Sequence, residues 1–378
     1  MRRPSRLARL PQQYFVSLLA RVAAAAAQDG PPLVDLGRGN PETGPPPHVI
    51  EALRASALDP TVHGYSPIRG LARTKEAIAA RYAEVYGVTL DPTTEVALIP
   101  GTKTGIVELA LALCEEGDTL LLPDPYYPDY PSGPALAGAR METVRLVPED
   151  GFAPDLGSAP AAAALYLNYP SNPCAVCAPA GVFESAVEWA RRTGGAVVHD
   201  AAYIDIVFDG RTPQSFLAAP GSKDVGVEMW SMSKTYGMAG WRIGFVVGSA
   251  EIVERINLFN DHSRVGIFAP MQAAAIAALE GPQNSVAERV EAYRRRRDVL
   301  ASALPEPPVC EGTFYMWTKL PEGLTAERLL VEERVAVAPG EGFGPSGAGW
   351  ARLSLAVTDE TIEVGAERLH RAFAAVTA

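Results

Sequence analysis

The segment SMSKTYGMAGWRIGF, residues 231–245, holds one lysine and one arginine among small and apolar residues. Lys234 and Arg242 lie eight positions apart, and Ser231 and Ser233 precede the lysine. A lysine amine can act as a nucleophile or a base once burial shifts its pKa. Serine hydroxyls and the fork of an arginine can bind a phosphate group. The stretch therefore predicts a reactive amine beside an anion-binding group.

Polar residues also follow four other short apolar runs of the sequence. Each has an ordinary explanation as a helix cap, a turn residue or a core group, but their chemistries complement one another. They are Thr102, Lys103 and Thr104 in GTKTGI, Tyr126 and Tyr127 in DPYYPDY, Asn172 in NYPSNP, and Asp200 and Tyr203 in HDAAY. Because ligands bind outside the carboxyl ends of parallel strands, we expect all of these segments to face one site.

The apolar runs predict the strands that position these residues. Residues 95–100, 118–123, 163–170, 195–200, 226–231 and 244–249 have the pattern of buried strands, with helical patterns such as 105–114 and 182–192 between them. This alternation predicts an α/β fold with a mostly parallel sheet between helices. From about residue 271 the pattern becomes helical, with shorter strand candidates after it. We predict a large domain at 46–270 and a smaller α+β domain formed by 1–45 and 271–378.

Together these groups match what pyridoxal 5'-phosphate requires from a protein. Lys234 would form a Schiff base with the aldehyde of this cofactor, and Asp200 would hold the proton on its ring nitrogen. Asn172 and Tyr203 would donate hydrogen bonds to its phenolate oxygen. We assign catalytic roles to Lys234, Asp200 and Tyr203.

The ring face and the phosphate of the cofactor need further partners. Tyr127 would stack on the ring, with Tyr126 as the alternative. Hydroxyls, N–H groups at the start of a helix and a guanidinium suit the phosphate. The residues predicted for the phosphate are Ser231, Ser233, Arg242, Thr102, Thr104 and Lys103. A solvated position at the start of a helix explains Lys103 almost equally well.

The composition excludes several classes of protein. The chain has 378 residues, of which 48% are hydrophobic and 20% charged, the usual makeup of a soluble protein. A formal charge of -11 argues against a nucleic-acid partner. No apolar run reaches the length of about 18 residues that a membrane span needs. Four cysteines are too few for a disulfide scaffold in so long a chain, so we expect a cytoplasmic location.

Two segments allow a second interpretation. The start MRRPSRLARL is basic like a secretory signal, but Pro11, Gln12, Gln13 and Arg21 interrupt any apolar region, which favours a helix at the start of the domain. The motif CAVC at 174–177 could be half of a metal or redox site. No second pair occurs, so loop or core thiols are favoured and no metal site is predicted.

On these motifs the sequence resembles the class I and II aminotransferases, which belong to fold-type I of the pyridoxal-phosphate enzymes. The likeness runs from about residue 34 to 360. The segments that carry it are GRGNPE, YSPIRG, GTKTGI, PDPYYPDY, NYPSNP, HDAAY, SMSKTYGMAGWRIGF and WARLSL. The Lys-to-Arg spacing and the order of the polar residues make this match specific.

The resemblance implies a homodimer that moves an amino group from an L-amino acid to a 2-oxo acid through a pyridoxamine phosphate intermediate. Lys234 would then also carry the proton between the substrate Cα and the cofactor. Arg352 would bind the substrate α-carboxylate, with a backbone N–H from Gly39, and Asn172 would contact the substrate as well as the cofactor. Tyr65 would reach the cofactor phosphate of the neighbouring subunit.

Two segments depart from the family pattern. Cys174 and Ala175 replace the Thr-Gly of many members, and Gly266 stands where many relatives have a serine. Arg264 lies in a segment that shapes the partner's substrate pocket in the family, so it could bind a second anionic group of the substrate. A rim or interface arginine is the simpler explanation of Arg264.

Three other functions are alternatives to an aminotransferase. The departures leave open an enzyme of elimination, replacement or carbon–carbon bond formation on the same cofactor. A non-catalytic sensor that binds the cofactor is disfavoured, because no DNA-binding segment is attached and the lysine is retained. A nicotinamide enzyme is disfavoured because no Gly-x-Gly-x-x-Gly follows an early strand.

Overall fold

A computed structural model of the chain describes residues 4–377. The strands are β1 (Val34–Asp35), β2 (Val96–Ile99), β3 (Thr119–Asp124), β4 (Arg140–Arg145), β5 (Ala164–Leu167), β6 (Ala196–Asp200), β7 (Gly226–Ser231), β8 (Gly244–Gly248), β9 (Tyr315–Lys319), β10 (Val335–Ala336), β11 (Ala338–Pro339) and β12 (Trp350–Ser354).

The helices alternate with the strands through the middle of the chain. They are α1 (Ser5–Ala8), α2 (Tyr14–Ala26), α3 (Pro47–Ala57), α4 (Ala72–Tyr86), α5 (Thr102–Leu113), α6 (Ser132–Ala137), α7 (Val182–Thr193), α8 (Ser222–Val225), α9 (Met232–Thr235), α10 (Ala250–Ser263), α11 (Ala269–Glu280), α12 (Asn284–Ser302), α13 (Ala326–Glu332) and α14 (Asp359–Thr377). No helix in the described part of the chain combines the length and apolarity needed to cross a bilayer.

Seven strands form the central sheet in the order β2-β8-β7-β6-β5-β3-β4. All neighbours are parallel except β8, which runs antiparallel to β2 and β7. The predicted mostly parallel sheet and its six predicted strands are confirmed. The sequence pattern missed β4, because this edge strand is exposed at every residue except Val144 and carries no apolar run.

Both faces of the central sheet are buried by helices, which explains why its strands have continuous apolar runs rather than alternation. Neighbouring residues of β2 show the two faces. Leu98 packs into one apolar cluster with Tyr82 of α4, and Ile99 packs into another with Ile106 of α5. The central sheet is therefore held in place by an apolar core on each of its faces.

The remaining strands form two small sheets. Strands β11, β12 and β9 are antiparallel, while β1 pairs in parallel with β10 through Val34 and Val335. This pairing joins the N-terminal segment to the C-terminal part of the chain. The division at residues 46 and 270 stays a prediction; α11, on the small-domain side of the predicted boundary, packs against α3 and α4.

Candidate active site

The carboxyl ends of β5, β6 and β7, three neighbouring parallel strands, border one cavity of about 610 Å³. Asn168 follows β5, Asp200 ends β6 and Ser231 ends β7, and all three side chains line the cavity. The structure brings together there most of the residues predicted from sequence. They are Gly39, Thr102, Lys103, Tyr127, Asn172, Asp200, Tyr203, Ser231, Ser233, Lys234 and Arg242.

Lys234 lies on the short helix α9, directly after β7. Its Nζ is 3.5 Å from the carbonyl oxygen of Gly39. Burial, reinforced by the charges of Arg352 and Arg242, lowers the pKa of the Lys234 ammonium to about 8, while the charge of Asp200 opposes the shift. A large fraction of this amine is therefore neutral near that pH, as a nucleophile or a base requires.

Asp200 presents a buried carboxylate to the same cavity. Its Oδ2 accepts a hydrogen bond of 2.9 Å from the Tyr130 hydroxyl, and its Oδ1 accepts one of 3.2 Å from the Ala202 N–H. Burial raises the pKa of Asp200, although these hydrogen bonds and the charges of His199 and Lys234 act in the opposite direction. A bound cation beside this carboxylate would stabilise its charged form.

Ser231, Ser233 and Arg242, which were predicted to bind the cofactor phosphate, all line the cavity. The two serine hydroxyls are 2.8 Å apart, and Arg242 donates a hydrogen bond of 2.9 Å to the carbonyl oxygen of Pro100. Arg242 has a left-handed backbone with φ of 56°, a strained conformation typical of functional positions. A Cβ at Gly101 would lie 2.6 Å from Arg242 Nη2 and would displace the guanidinium.

Arg352 is almost completely buried behind the cavity on β12. Its Nη1 donates a hydrogen bond of 2.8 Å to Asn172 Oδ1, and its guanidinium carbon is 3.8 Å from the centroid of the Tyr315 ring. Within residues 4–377 its buried Nε has no hydrogen-bond partner. A buried N–H without a hydrogen-bond acceptor destabilises the protein. The Arg352 guanidinium is therefore suited to bind a carboxylate that enters the cavity.

The geometry supports Tyr127 over Tyr126 as the stacking residue. Tyr127 lines the cavity, and its ring centroid is 6.0 Å from that of Phe15. Tyr126 points elsewhere, toward Gly344, where its Cε1 lies 2.9 Å from the position that a Cβ of residue 344 would take.

The sequence matches the family described as aminotransferase class I and II over residues 31–369. This match covers most of the chain, including all of the strands and every predicted site residue. The chain belongs to the class I and II aminotransferases. The predicted family and enzyme class are confirmed.

Similar proteins cover nearly the full length of this aminotransferase. The L-glutamine–4-(methylsulfanyl)-2-oxobutanoate aminotransferase of Bacillus subtilis is 44% identical over 376 residues, which span 96% of this chain and 94% of that protein. The LL-diaminopimelate aminotransferase of Moorella thermoacetica is 38% identical, with 98% of each chain covered. The substrate-bound structure of BacF from Bacillus subtilis has a TM-score of 0.91, 36% identity and 98% coverage of each chain. The fold is that of fold-type I enzymes, and this family depends in general on pyridoxal phosphate.

Lys103 and Thr104, two of the predicted phosphate ligands, have surroundings that do not point to a phosphate. The Lys103 ammonium of this aminotransferase is 2.9 Å from Asp129 Oδ2, so it already has an anionic partner. Thr104 lies one position further along α5 and is not among the residues that line the cavity. A role of either residue at the phosphate stays a prediction.

Tyr65 and Arg264 also lie outside the cavity lining. Tyr65 is 92% exposed, as a residue that serves a neighbouring subunit would be. Arg264 instead turns into its own subunit, where it donates a hydrogen bond of 2.8 Å to Asn260 Oδ1 and another to the carbonyl oxygen of Leu98. Glu108 Oε1 is 3.7 Å from its Nε. These contacts give Arg264 partners within its own subunit, so neither a rim or interface position nor the binding of a second substrate anion is shown, and both stay hypotheses.

Several residues of the site were not predicted. Phe15, Leu18 and Leu19 of α2 line the cavity, and Tyr130 binds Asp200. Tyr315 lies so close to Gly39 that a Cβ there would be 1.9 Å from its hydroxyl. Only Tyr130 had a local signal, since it ends the DPYYPDY motif. The others belong to segments whose approach to the sheet depends on tertiary packing.

Proposed function

We propose that this aminotransferase binds pyridoxal 5'-phosphate and acts as a homodimer that moves an amino group from an L-amino acid to a 2-oxo acid. The observation that carries the proposal is the half-buried Lys234 amine, with a pKa lowered to about 8, in one cavity with the buried Asp200 carboxylate. The cofactor requires such an amine at its aldehyde and such a carboxylate at its ring nitrogen. A cytoplasmic location belongs to the proposal and is supported by four free cysteines.

Three features of the chain fit the cofactor. Burial raises the pKa of the Asp200 carboxyl group, and a protonated ring nitrogen beside it would favour the charged carboxylate. The N-terminus of α5, the hydroxyls of Ser231 and Ser233, and the guanidinium of Arg242 offer donors for a phosphate. Asn172 and Tyr203 provide polar groups between these two ends.

The residues of the chain can be given separate roles in the reaction. When bound, the cofactor supplies an electron-withdrawing ring that makes the Cα proton of the amino acid acidic. Arg352 would bind the α-carboxylate through its fork and its free Nε–H. Once the amino acid has taken the place of Lys234 at the aldehyde carbon of the cofactor, the neutral Nζ of Lys234 would accept the proton from Cα and return it to that aldehyde carbon. Asp200 would hold a proton on the ring nitrogen, and Tyr203 would orient the phenolate side.

The N-terminal helix would exclude water from these proton movements. Phe15 and Leu18 of α2 line the cavity opposite the strand ends. The Tyr14 hydroxyl donates a hydrogen bond of 2.8 Å to the carbonyl oxygen of Pro339, which holds the start of the helix against the small antiparallel sheet. A drier site strengthens the electrostatic interactions inside it.

A second copy of the chain is the occupant that best explains the exposed apolar residues near Tyr65. Tyr65 is 92%, Val265 59% and Phe268 42% exposed. The segments that carry them are in direct contact, because a Cβ at Gly266 would lie 2.3 Å from the carbonyl oxygen of Pro67. Gly266, which stands where many relatives have a serine, therefore allows the loop that carries Tyr65 to pack closely against its own segment.

The shared site can be tested through Tyr65. Tyr65→Ala is expected to raise the dissociation constant of the cofactor about tenfold or more, the effect of losing a hydrogen bond to a charged group. Mixing this variant with Lys234→Ala should create heterodimers with one complete site and restore tight cofactor binding there. Cofactor titration combined with light scattering measures both effects. A monomer in solution, or unchanged affinity in Tyr65→Ala, would contradict the shared site.

The function itself is tested by adding single amino acids to the cofactor-loaded protein. Glutamine, glutamate, alanine, methionine and LL-diaminopimelate are the first donors to try, since the names of the relatives point to them or to their oxo acids. We expect one or more donors to change the absorbance of the bound cofactor and a 2-oxo acid to reverse the change. Release of ammonia together with an oxo acid, with no amino group passed to an acceptor, would instead support elimination.

A further inference from the structure

The roles assigned above leave a buried carboxylate beside the cavity, Asp129, without a function. Its side chain is 4% exposed, and donors from two distant segments approach it. Gln13 Nε2 donates a hydrogen bond of 2.5 Å to Oδ1, and Lys103 Nζ is 2.9 Å from Oδ2. Tyr127 precedes Asp129 by two positions in the same loop. These four residues form what we term the Asp129 cluster.

The Asp129 carboxylate is ionised at neutral pH. Burial alone would raise its pKa, but the hydrogen bond from Gln13 and the adjacent ammonium of Lys103 hold the pKa below its ordinary value. The negative charge of Asp129 therefore compensates the positive charge of Lys103.

The Asp129 cluster lies at the end of the cavity that the N-terminal helix covers. Gln13 directly precedes α2, which contributes Phe15, Leu18 and Leu19 to the lining. The Phe15 ring is 6.0 Å from the ring of Tyr127, a member of the cluster. Apolar side chains and a compensated ion pair thus form this end of the site.

The other cationic side chains that line the cavity have separate tasks. Lys234 and Arg242 are assigned to the cofactor, and the Arg38 side chain is 66% exposed and 3.8 Å from Asp35. Lys103 is the remaining cationic side chain of the described lining. A negatively charged group on a substrate side chain would therefore depend on Lys103 for a partner.

We propose that Asp129 is a specificity-determining residue that keeps Lys103 paired and so directs this site toward amino acids with uncharged side chains. The inference rests on the proposed function, in which an amino acid is held by Arg352. A second carboxylate on the substrate would approach the negative Asp129 without a free cation to bind it, an arrangement that disfavours acidic donors. An uncharged side chain would contact Phe15 and Leu19 at no such electrostatic cost.

The test compares two non-reacting ligands of equal length, glutarate and valerate, which differ only in the second carboxylate. Their dissociation constants are measured by calorimetry on the cofactor-loaded protein. The wild type is expected to bind valerate at least as tightly as glutarate. Asp129→Asn keeps the shape of the side chain but frees the charge of Lys103, and it should shift the ratio of the two dissociation constants toward glutarate about threefold to fivefold. Adding salt should reduce this gain.

Two further variants isolate the ion pair. The double variant Asp129→Asn with Lys103→Met should lose the gain in glutarate binding. Lys103→Met alone leaves the Asp129 charge uncompensated and should shift the ratio several-fold toward valerate. Thermal unfolding shows whether Asp129→Asn folds. If it does not fold, Lys103→Met alone tests the effect of the ion pair on ligand preference.

An unchanged ratio in a folded Asp129→Asn protein, or in Lys103→Met, would overturn the inference. Failure of the proposed function has a different signature. If no amino acid donates an amino group while the ratio shifts as expected, the proposed function is wrong and the charge assignment stands. If amino transfer occurs and the ratio does not shift, the inference alone is wrong.

Discussion

Replacing Lys234 with alanine is expected to lower the rate of amino transfer at least about a thousandfold, because the variant lacks both the amine that holds the cofactor and the proton carrier. Borohydride reduction should fix one cofactor per chain in the wild type and none in Lys234→Ala, as measured by mass spectrometry. The matched control is Lys223→Ala, which removes a lysine paired with Glu95 outside the cavity. Trapping at another lysine in the Lys234→Ala variant would contradict the assignment.

The pH dependence of trapping tests the lowered pKa of Lys234. Only the neutral amine attacks an aldehyde, and the pKa of about 8 makes the protonated form dominant below that pH. In the apoprotein the trapping rate should therefore rise about tenfold per pH unit below pH 8 and level off above it. An exposed lysine would instead continue to gain reactivity up to about pH 10. A rate that still rises steeply well above pH 8 would show that burial does not act on this amine.

Asp200→Asn is expected to produce the second large effect, a loss of about a hundredfold or more in the rate of amino transfer. The amide has the shape of the carboxylate but no negative charge, so it cannot keep a proton on the ring nitrogen of the cofactor. Cofactor affinity should fall as well, which gives a readout independent of turnover. Wild-type turnover and affinity in this variant would remove Asp200 from the mechanism.

Tyr130→Phe separates the charge of Asp200 from its orientation. This variant loses only the 2.9 Å hydrogen bond to Asp200 Oδ2, so we expect a smaller decrease of about tenfold in turnover. The control is Tyr166→Phe, because Tyr166 is equally buried but its hydroxyl bonds to the carbonyl oxygen of Ile106. Equal losses in the two variants would indicate a general packing effect.

Most of the central sheet could be predicted because its signal is local. Each buried strand has its own apolar run, and β6 and β7 end in the polar residues Asp200 and Ser231. Parallel strands bring such ends to one edge of a sheet whatever the details of the packing. The exposed edge strand β4 had no apolar run, so the same reasoning could not find it.

The sequence by itself determined the family, the sheet and the chemistry at the strand ends, because all of these depend on residues close together in the chain. Only the tertiary structure decided which groups the side chains of Asp129 and Arg264 contact. Gln13 and Asp129 are 116 positions apart, and Arg264 reaches the carbonyl oxygen of Leu98 across 166 positions. Such contacts depend on how α2 and the loops pack against the sheet, and residue spacing carries no information about that packing. The Asp129 cluster is therefore a property of the fold, although each of its members is visible in the sequence.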